Sequence, residues 1–172
     1  GSGPNSRWLP ASPRAEGLDE GAGVVAHLMH CIGEVGLTTS GRVAAHRVKG
    51  MLAAYAVRAD PESPLDALVV GDIEPPGAPE GWVRVLVTAA ALNLHDVWSL
   101  RGVGLPADRL PMILGCDAAG VTEDGREVIV HSVINSPDFV GSDTTYDPAR
   151  SLLSERYPGT FATQVRVPAS NL

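Results

Sequence analysis

The sequence predicts a mainly β fold with short helices, a small and partly open barrel. Three observations carry this. Short apolar runs of alternating pattern recur from Met51 onward. Clusters of Pro, Gly and Asp separate them at close intervals. Helical periodicity is confined to brief stretches, as expected of a small barrel with insertions.

Taken in order, residues 1–50 read as an N-terminal extension that opens Gly-Ser-Gly-Pro-Asn-Ser. Only Val24, Val25, Leu28, Met29 and Ile32 are spaced as one short helix face; the rest is expected to be irregular. Residues 51–172 form the second unit. Leu52–Val57 and Ala67–Ile73 are apolar strand candidates separated by the turn formers Asp60-Pro61-Glu62-Ser63-Pro64. Trp82–Ala91 is a long strand with Val83, Val85 and Val87 on one face. Asn93 starts a helix that passes Asp96, Val97 and Leu100 and stops at Gly102. Glu127–Ile134 is another strand. A second helix is expected where Asp147 caps and Pro148 takes the first position, with Leu152 and Leu153 following and Gly159 ending it. Phe161, Thr163, Val165 and Val167 alternate in a last strand.

Composition excludes several classes of function. The net charge is −7, which argues against a nucleic-acid surface or docking on anionic membrane. No apolar run is long enough to span a bilayer, and no secretory signal opens the chain, so a cytoplasmic setting is expected. The two cysteines, Cys31 and Cys116, exclude a disulfide framework and a four-cysteine structural zinc site.

Two glycine strings imitate a dinucleotide fingerprint. Gly21-Ala-Gly23-Val-Val-Ala26 follows an acidic stretch where a buried strand should stand. Gly102-Val-Gly104-Leu-Pro-Ala107 has Pro106 where a helix should continue. Neither reads as a cofactor site.

The informative stretch is Ala89 to Gly120. It carries Asn93-Leu-His95-Asp96-Val-Trp98, then Pro111-Met-Ile-Leu-Gly115-Cys116-Asp117-Ala-Ala-Gly120. With Pro158-Gly-Thr-Phe161-Ala and Val167-Pro-Ala-Ser-Asn171-Leu, it resembles the GroES-like catalytic domain of the medium-chain dehydrogenase/reductase superfamily, alcohol dehydrogenase-like in type. The resemblance covers Met51 to Leu172. Zinc-dependent members place Cys where this chain has Asn93 and His where it has Cys116, while the acidic residue is kept as Asp117. Asn is a poor zinc ligand, so the resemblance points to the zinc-free, quinone oxidoreductase-like branch, with no metal expected.

The resemblance implies NAD or NADP as cofactor, carried by a doubly wound domain that would follow Leu172. No such Rossmann domain is expected within this chain. The chain is then the substrate-side domain of an NAD(P)H-dependent oxidoreductase, passing hydride to a quinone, enone or other carbonyl compound. The isolated fragment is expected to be inactive, and its uncovered interdomain face to favour self-association or a homo-oligomer.

Within this reading Asn93 can donate to a substrate carbonyl or meet the nicotinamide carboxamide, or simply cap its helix. His95 can supply a proton, or stand as an unengaged surface imidazole. Asp96 is grouped with Asn93 and His95 as the catalytic set, and it also organises the helix start. Trp98, Cys116, Asp117 and Tyr146 are placed along the substrate pocket, with plainer readings for each: a core aromatic, a buried thiol, a backbone-bonded carboxylate and a loop residue. Two alternatives stay open. One is a GroES-like binding or assembly module without chemistry. The other is a zinc site of altered ligands, Cys116, Asp117 and His95.

Overall fold

The computed structural model describes residues 50–172 of the chain. The helix expected around Val24–Ile32 and the glycine string at Gly21 lie outside the described residues.

Among the described residues, nine short strands form three open antiparallel sheets that do not close into a barrel, and there is one α-helix besides. In chain order they are β1 (Met51–Ala56), β2 (Leu68–Ile73), β3 (Trp82–Ala90), helix α1 (Leu94–Leu100), β4 (Met112–Ile113), β5 (Ala118–Thr122), β6 (Glu127–Val130), β7 (Val133–Ile134), β8 (Ser151–Leu152) and β9 (Gln164–Pro168). The mainly β class is as the sequence predicts. No doubly wound parallel sheet occurs among the described residues.

β1 is central in the first sheet, flanked by β2 and β4. Met51 faces Ile73 and Ala56 faces Leu68, so the turn formers at 60–64 sit in the connection that the pairing requires. The second sheet runs β6-β5-β3-β9. β3 carries the alternation expected of it: Val85 is fully buried and Leu86 half exposed. Its ladder with β5 shifts register between Val87 and Ala89, which bends the strand just before α1. In β9, Val165 and Val167 are buried and Arg166 points out, again an alternation of period two.

The third sheet corrects the sequence reading. Residues 148–159 hold no helix. Ser151–Leu152 pair with Val133–Ile134 instead. Leu153 is fully buried, and its N–H donates to the Ser132 carbonyl at 3.2 Å. Ser154 has φ 68°, a left-handed backbone that a helix interior does not hold. Asp147 does cap, its Oδ1 accepting the Ala149 N–H at 2.8 Å, but only for a turn. Tertiary pairing has overridden the local signal. The strand expected over Glu127–Ile134 splits at His131–Ser132 for the same reason, because its two halves serve different sheets.

Two larger apolar clusters hold these sheets. One gathers Ala54, Ala56, Leu100, Leu105, Met112, Leu114 and Phe161. The other gathers Val85, Val130, Ile134, Leu153, Val165 and Val167. Leu100 brings α1 into the first cluster, and burying such a side chain contributes about 1.5–3 kcal/mol. Phe161 joins β1 to the end of β4: its carbonyl accepts the Ala54 N–H and its own N–H donates to the Leu114 carbonyl, both at 2.8 Å.

Candidate functional site

Three loops meet at the start of α1. Ala91–Asn93 leave β3, Gly115–Asp117 link β4 to β5, and Ser154–Arg156 follow β8. Asn93 is the N-cap and closes a capping box with Asp96. Asp96 Oδ2 accepts the Asn93 N–H at 2.8 Å. Its Oδ1 accepts the Gly115 N–H at 3.0 Å. One carboxylate thus fixes the helix start and ties it to the β4–β5 loop. Asp96 is only 1% exposed. Burial pushes its carboxyl above the usual range, against the two backbone donors and His95, and the Asp117 charge adds to the rise.

The Asn93 side chain continues the network. Its Nδ2 donates to Asp117 Oδ1 and to the Ala91 carbonyl, both at 3.3 Å. Asp117 Oδ1 also accepts the Ala91 N–H at 3.3 Å. On the other side of that loop, Thr160 Oγ1 donates to the Asp117 carbonyl at 2.8 Å. Gly115 has φ +92°, and a Cβ there would lie 2.5 Å from Thr160 Oγ1. Only glycine lets this loop approach so closely.

His95 is held from both ends of its ring. Nε2 lies 2.8 Å from Glu155 Oε1, and Nδ1 lies 3.5 Å from Cys116 Sγ. A carboxylate only accepts, so Nε2 carries the proton and Nδ1 faces the sulfur with its lone pair. Burial pushes the Cys116 thiol up to about 12, with the negative charges of Asp96, Asp117 and Glu155 adding to it. Cys116 is a free thiol.

The structure thus brings together Asn93, His95, Asp96, Cys116 and Asp117, read from the sequence as separate candidates. Trp98 stands on the same helix, 49% exposed. Tyr146 is 79% exposed on a turn at Thr144–Tyr146, and no hydrogen bond among the described residues ties it to this group. His131 accepts the Val133 N–H through Nδ1 at 3.1 Å.

Glu155 is the residue that sequence reasoning missed. It sits in no motif and in a segment read as helix. An indirect signal was present in the second glycine string. Gly104 has φ +76°, and a Cβ there would fall 2.8 Å from Glu155 Oε1. That string is therefore no phosphate cradle; it turns the chain and leaves room for the carboxylate that holds His95.

The residues can be tested against the groups such a fold is known to carry. The Asn93 amide is neutral and directed at Asp117 and Ala91, so the three-ligand zinc set of the zinc-dependent members does not fit here. A dinucleotide does not fit the described residues either, since no glycine turn follows a buried parallel strand among them.

Comparison with known proteins agrees with this architecture. The family profile described as the alcohol dehydrogenase GroES-like domain matches residues 79–172. No curated protein matches the chain. Among solved structures, an NAD-dependent alcohol dehydrogenase is 29% identical with a TM-score of 0.57, over 70% of this chain and 38% of that one. A crotonyl-CoA carboxylase/reductase is 24% identical with a TM-score of 0.61, over 71% of this chain and 33% of that one. A cobalt- and zinc-bound thermostable alcohol dehydrogenase from Pyrobaculum aerophilum is 24% identical with a TM-score of 0.60, over 70% of this chain and 40% of that one. The chain therefore spans 33–40% of the length of these three structures, and the two at 24% identity speak to the fold alone. The profile match over more than half of the sequence, on the fold just described, places the chain in the alcohol dehydrogenase GroES-like domain family of the medium-chain dehydrogenase/reductase superfamily.

Proposed function

We propose that this domain is the substrate side of an NAD(P)H-dependent oxidoreductase that passes hydride to a quinone, enone or other carbonyl compound, without the zinc ligand set of the alcohol dehydrogenases. The observation that carries it is the convergence of Asn93, His95 and Asp117 at the N-terminus of α1, in a fold shared with an NAD-dependent alcohol dehydrogenase. When bound, the nicotinamide supplies the hydride.

The residues of this chain would act on the acceptor's oxygen. Hydride addition leaves negative charge there, and a placed donor lowers that barrier. Both Asn93 amide contacts are long, at 3.3 Å, so an incoming oxygen can take over one of the two hydrogens. Asp117 keeps the amide oriented through the other. His95 sits two residues on, with Glu155 at its Nε2, as a store for the proton that the reduced product needs. Trp98 offers an exposed ring beside this corner for a planar substrate.

The free thiol of Cys116 suits a reducing compartment such as the cytoplasm. No described helix is long and apolar enough to cross a membrane. Leu94, Trp98 and Val103 are 64%, 49% and 59% exposed around α1, an apolar set that favours association with a second copy or with a nucleotide-binding domain.

The test is oxidation of NADH and NADPH against a panel of quinones, enones and aldehydes, using the protein encoded by the complete reading frame. We expect turnover with at least one class. Asn93→Ala should lower kcat by about 10²–10³, the usual loss for one oxyanion donor. No consumption of either cofactor across the panel would overturn the reading in favour of a binding module. An unchanged kcat in Asn93→Ala would remove Asn93 from it.

A further inference from the structure

Cys116, His95 and Glu155 stand in line. Cys116 Sγ lies 3.5 Å from His95 Nδ1, and His95 Nε2 lies 2.8 Å from Glu155 Oε1. With the Nε2 proton given to the carboxylate, Nδ1 is left to accept the thiol hydrogen. A nucleophile, its general base and the group that orients the base have this arrangement. The three come from separate places in the chain: α1, the β4–β5 loop and the turn after β8.

The orienting carboxylate has its place secured twice. Gly104 lacks the Cβ that would meet it. Ser154, just before it, holds φ 68° with no glycine to relieve the left-handed backbone. A residue in that region persists only where the surrounding structure over-determines it, and such residues cluster at working sites.

Cys116 is not a standing thiolate. Burial, and then the charges of Asp96, Asp117 and Glu155, push its thiol up to about 12. Thiolate is the reactive form, and unassisted the thiol would hold about 10³-fold less of it at neutral pH than a free cysteine. Proton transfer to His95 changes this. The thiolate–imidazolium pair is neutral as a whole, so the surrounding carboxylates penalise it much less than a bare thiolate. Reactivity of Cys116 at neutral pH therefore runs through His95. Cys116 and the His95 side chain are partly exposed, which leaves a way in.

We propose that Cys116 is a nucleophile toward α,β-unsaturated carbonyl compounds, with His95 as its general base and Glu155 as the residue that positions the imidazole. Sγ bonds to the β-carbon, and the carbon–carbon π bond breaks toward the carbonyl. The thiol proton passes to His95 Nδ1 and from there to the α-carbon. The product is a saturated thioether, and the addition consumes no oxidant or reductant. The Asn93 amide, 3.3 Å from the Asp117 carboxylate next along from Cys116, is the donor at hand for the enolate oxygen formed on the way. The inference takes its substrate class from the function proposed above, but the addition needs no nicotinamide.

The test uses the full chain carrying Cys31→Ser, which leaves Cys116 as its only thiol. The probe is but-3-en-2-one without any nicotinamide, followed by intact mass and by loss of the enone absorbance. At neutral pH we expect one equivalent to add whole, at a rate within about tenfold of that of free cysteine. Cys116→Ser should abolish the addition. His95→Gln should slow it by about 10² or more, the usual worth of a general base. Glu155→Ala should slow it as well, and Glu155→Gln, which keeps an acceptor for the Nε2 proton, should restore part of the rate. Thermal melts establish that each variant is folded. A folded Cys31→Ser chain that lags free cysteine by about 10³, as an unassisted thiol would, overturns the proposal. So does a rate unmoved by His95→Gln, or addition that persists undiminished in Cys116→Ser. An unmoved rate in Glu155→Ala overturns the role given to Glu155. Addition without turnover of NADH or NADPH, or turnover without addition, tells the fate of this inference from that of hydride transfer.

Discussion

Two aspartates organise two corners of this domain, and they titrate in opposite directions. Asp96 and Asp147 are each 1% exposed. Burial raises both. At Asp96 burial prevails over two backbone donors, helped by the neighbouring charge of Asp117. At Asp147 the Ser136 N–H at 2.6 Å, the Ala149 N–H at 2.8 Å and the Asn135 amide at 3.2 Å together outweigh burial, and its carboxyl falls below the usual range. Equal exposure does not make equal sites. The Asp147 corner is satisfied by its own donors and is a structural knot. The Asp96 corner gathers Asp117, Glu155, a thiol and an imidazole, and leaves acceptor capacity unused.

The comparison can be broken in several ways. The largest effects belong to the cores behind each corner. Leu100→Ala and Leu153→Ala each delete a fully buried side chain and should cost about 2–5 kcal/mol in chemical denaturation. The clusters share no buried member and have a common packed neighbour in Ala90. Their double mutant should therefore match the sum to within about 0.5 kcal/mol; a larger discrepancy would mean the corners are one cooperative unit. Next, Asp96→Ala leaves the buried Gly115 N–H unpaired, at about 1–3 kcal/mol, and the part-buried Asn93 N–H without its carboxylate. Asp147→Ala takes the acceptor from the Ser136 and Ala149 N–H groups and leaves the Asn135 amide only the Thr144 carbonyl, so its melting temperature should fall further than that of Asp96→Ala.

The pH dependence carries opposite signs. The lowered carboxyl of Asp147 stabilises the fold above the unfolded value near 3.8, and that contribution is lost as pH falls through its folded pKa. The raised carboxyl of Asp96 does the reverse: stability is lost as pH climbs from about 3.8 through its folded value. Denaturation midpoints between pH 2 and 6 should show a shallower acid limb in Asp147→Asn and a flatter approach to neutrality in Asp96→Asn. A smaller change is expected from Gly104→Ala. The positive φ alone should cost about 1 kcal/mol, and nuclear magnetic resonance should show the His95 ring freed from Glu155. The smallest is Trp98→Ser, which should reduce self-association in sedimentation while leaving the melting temperature within about 2 °C, as for most surface substitutions.

Much of this was legible from residue order alone. The apolar alternation of β3 and β9, the turn formers at 60–64 and the Asn93 cap all rest on local chemistry, and each appears where local chemistry puts it. β5 was hidden, because Ala118, Ala119 and Gly120 have little strand propensity and pair only because β3 and β6 flank them. Asp147-Pro148 was misleading for a related reason. Its capping chemistry is real, but Leu152 and Leu153 are claimed by β7 and the second core. At the site, Asn93 through Asp117 could be named, since they fall in two short segments. Glu155 could not, because it is brought in from 60 residues away by pairing that no pattern in its own neighbourhood encodes.

Gly104 and Glu155 bear on how this family member can change over time. A side chain at 104 collides with the carboxylate at 155, so neither position is free to drift while the other stands. Shortening 155 first opens room at 104 but releases His95; enlarging 104 first pushes the carboxylate aside and releases it too. Either order of mutation passes through a step that abandons the imidazole's support. In a library randomised at both positions, members with any side chain at 104 should be the ones that have lost whatever His95 does, whatever stands at 155.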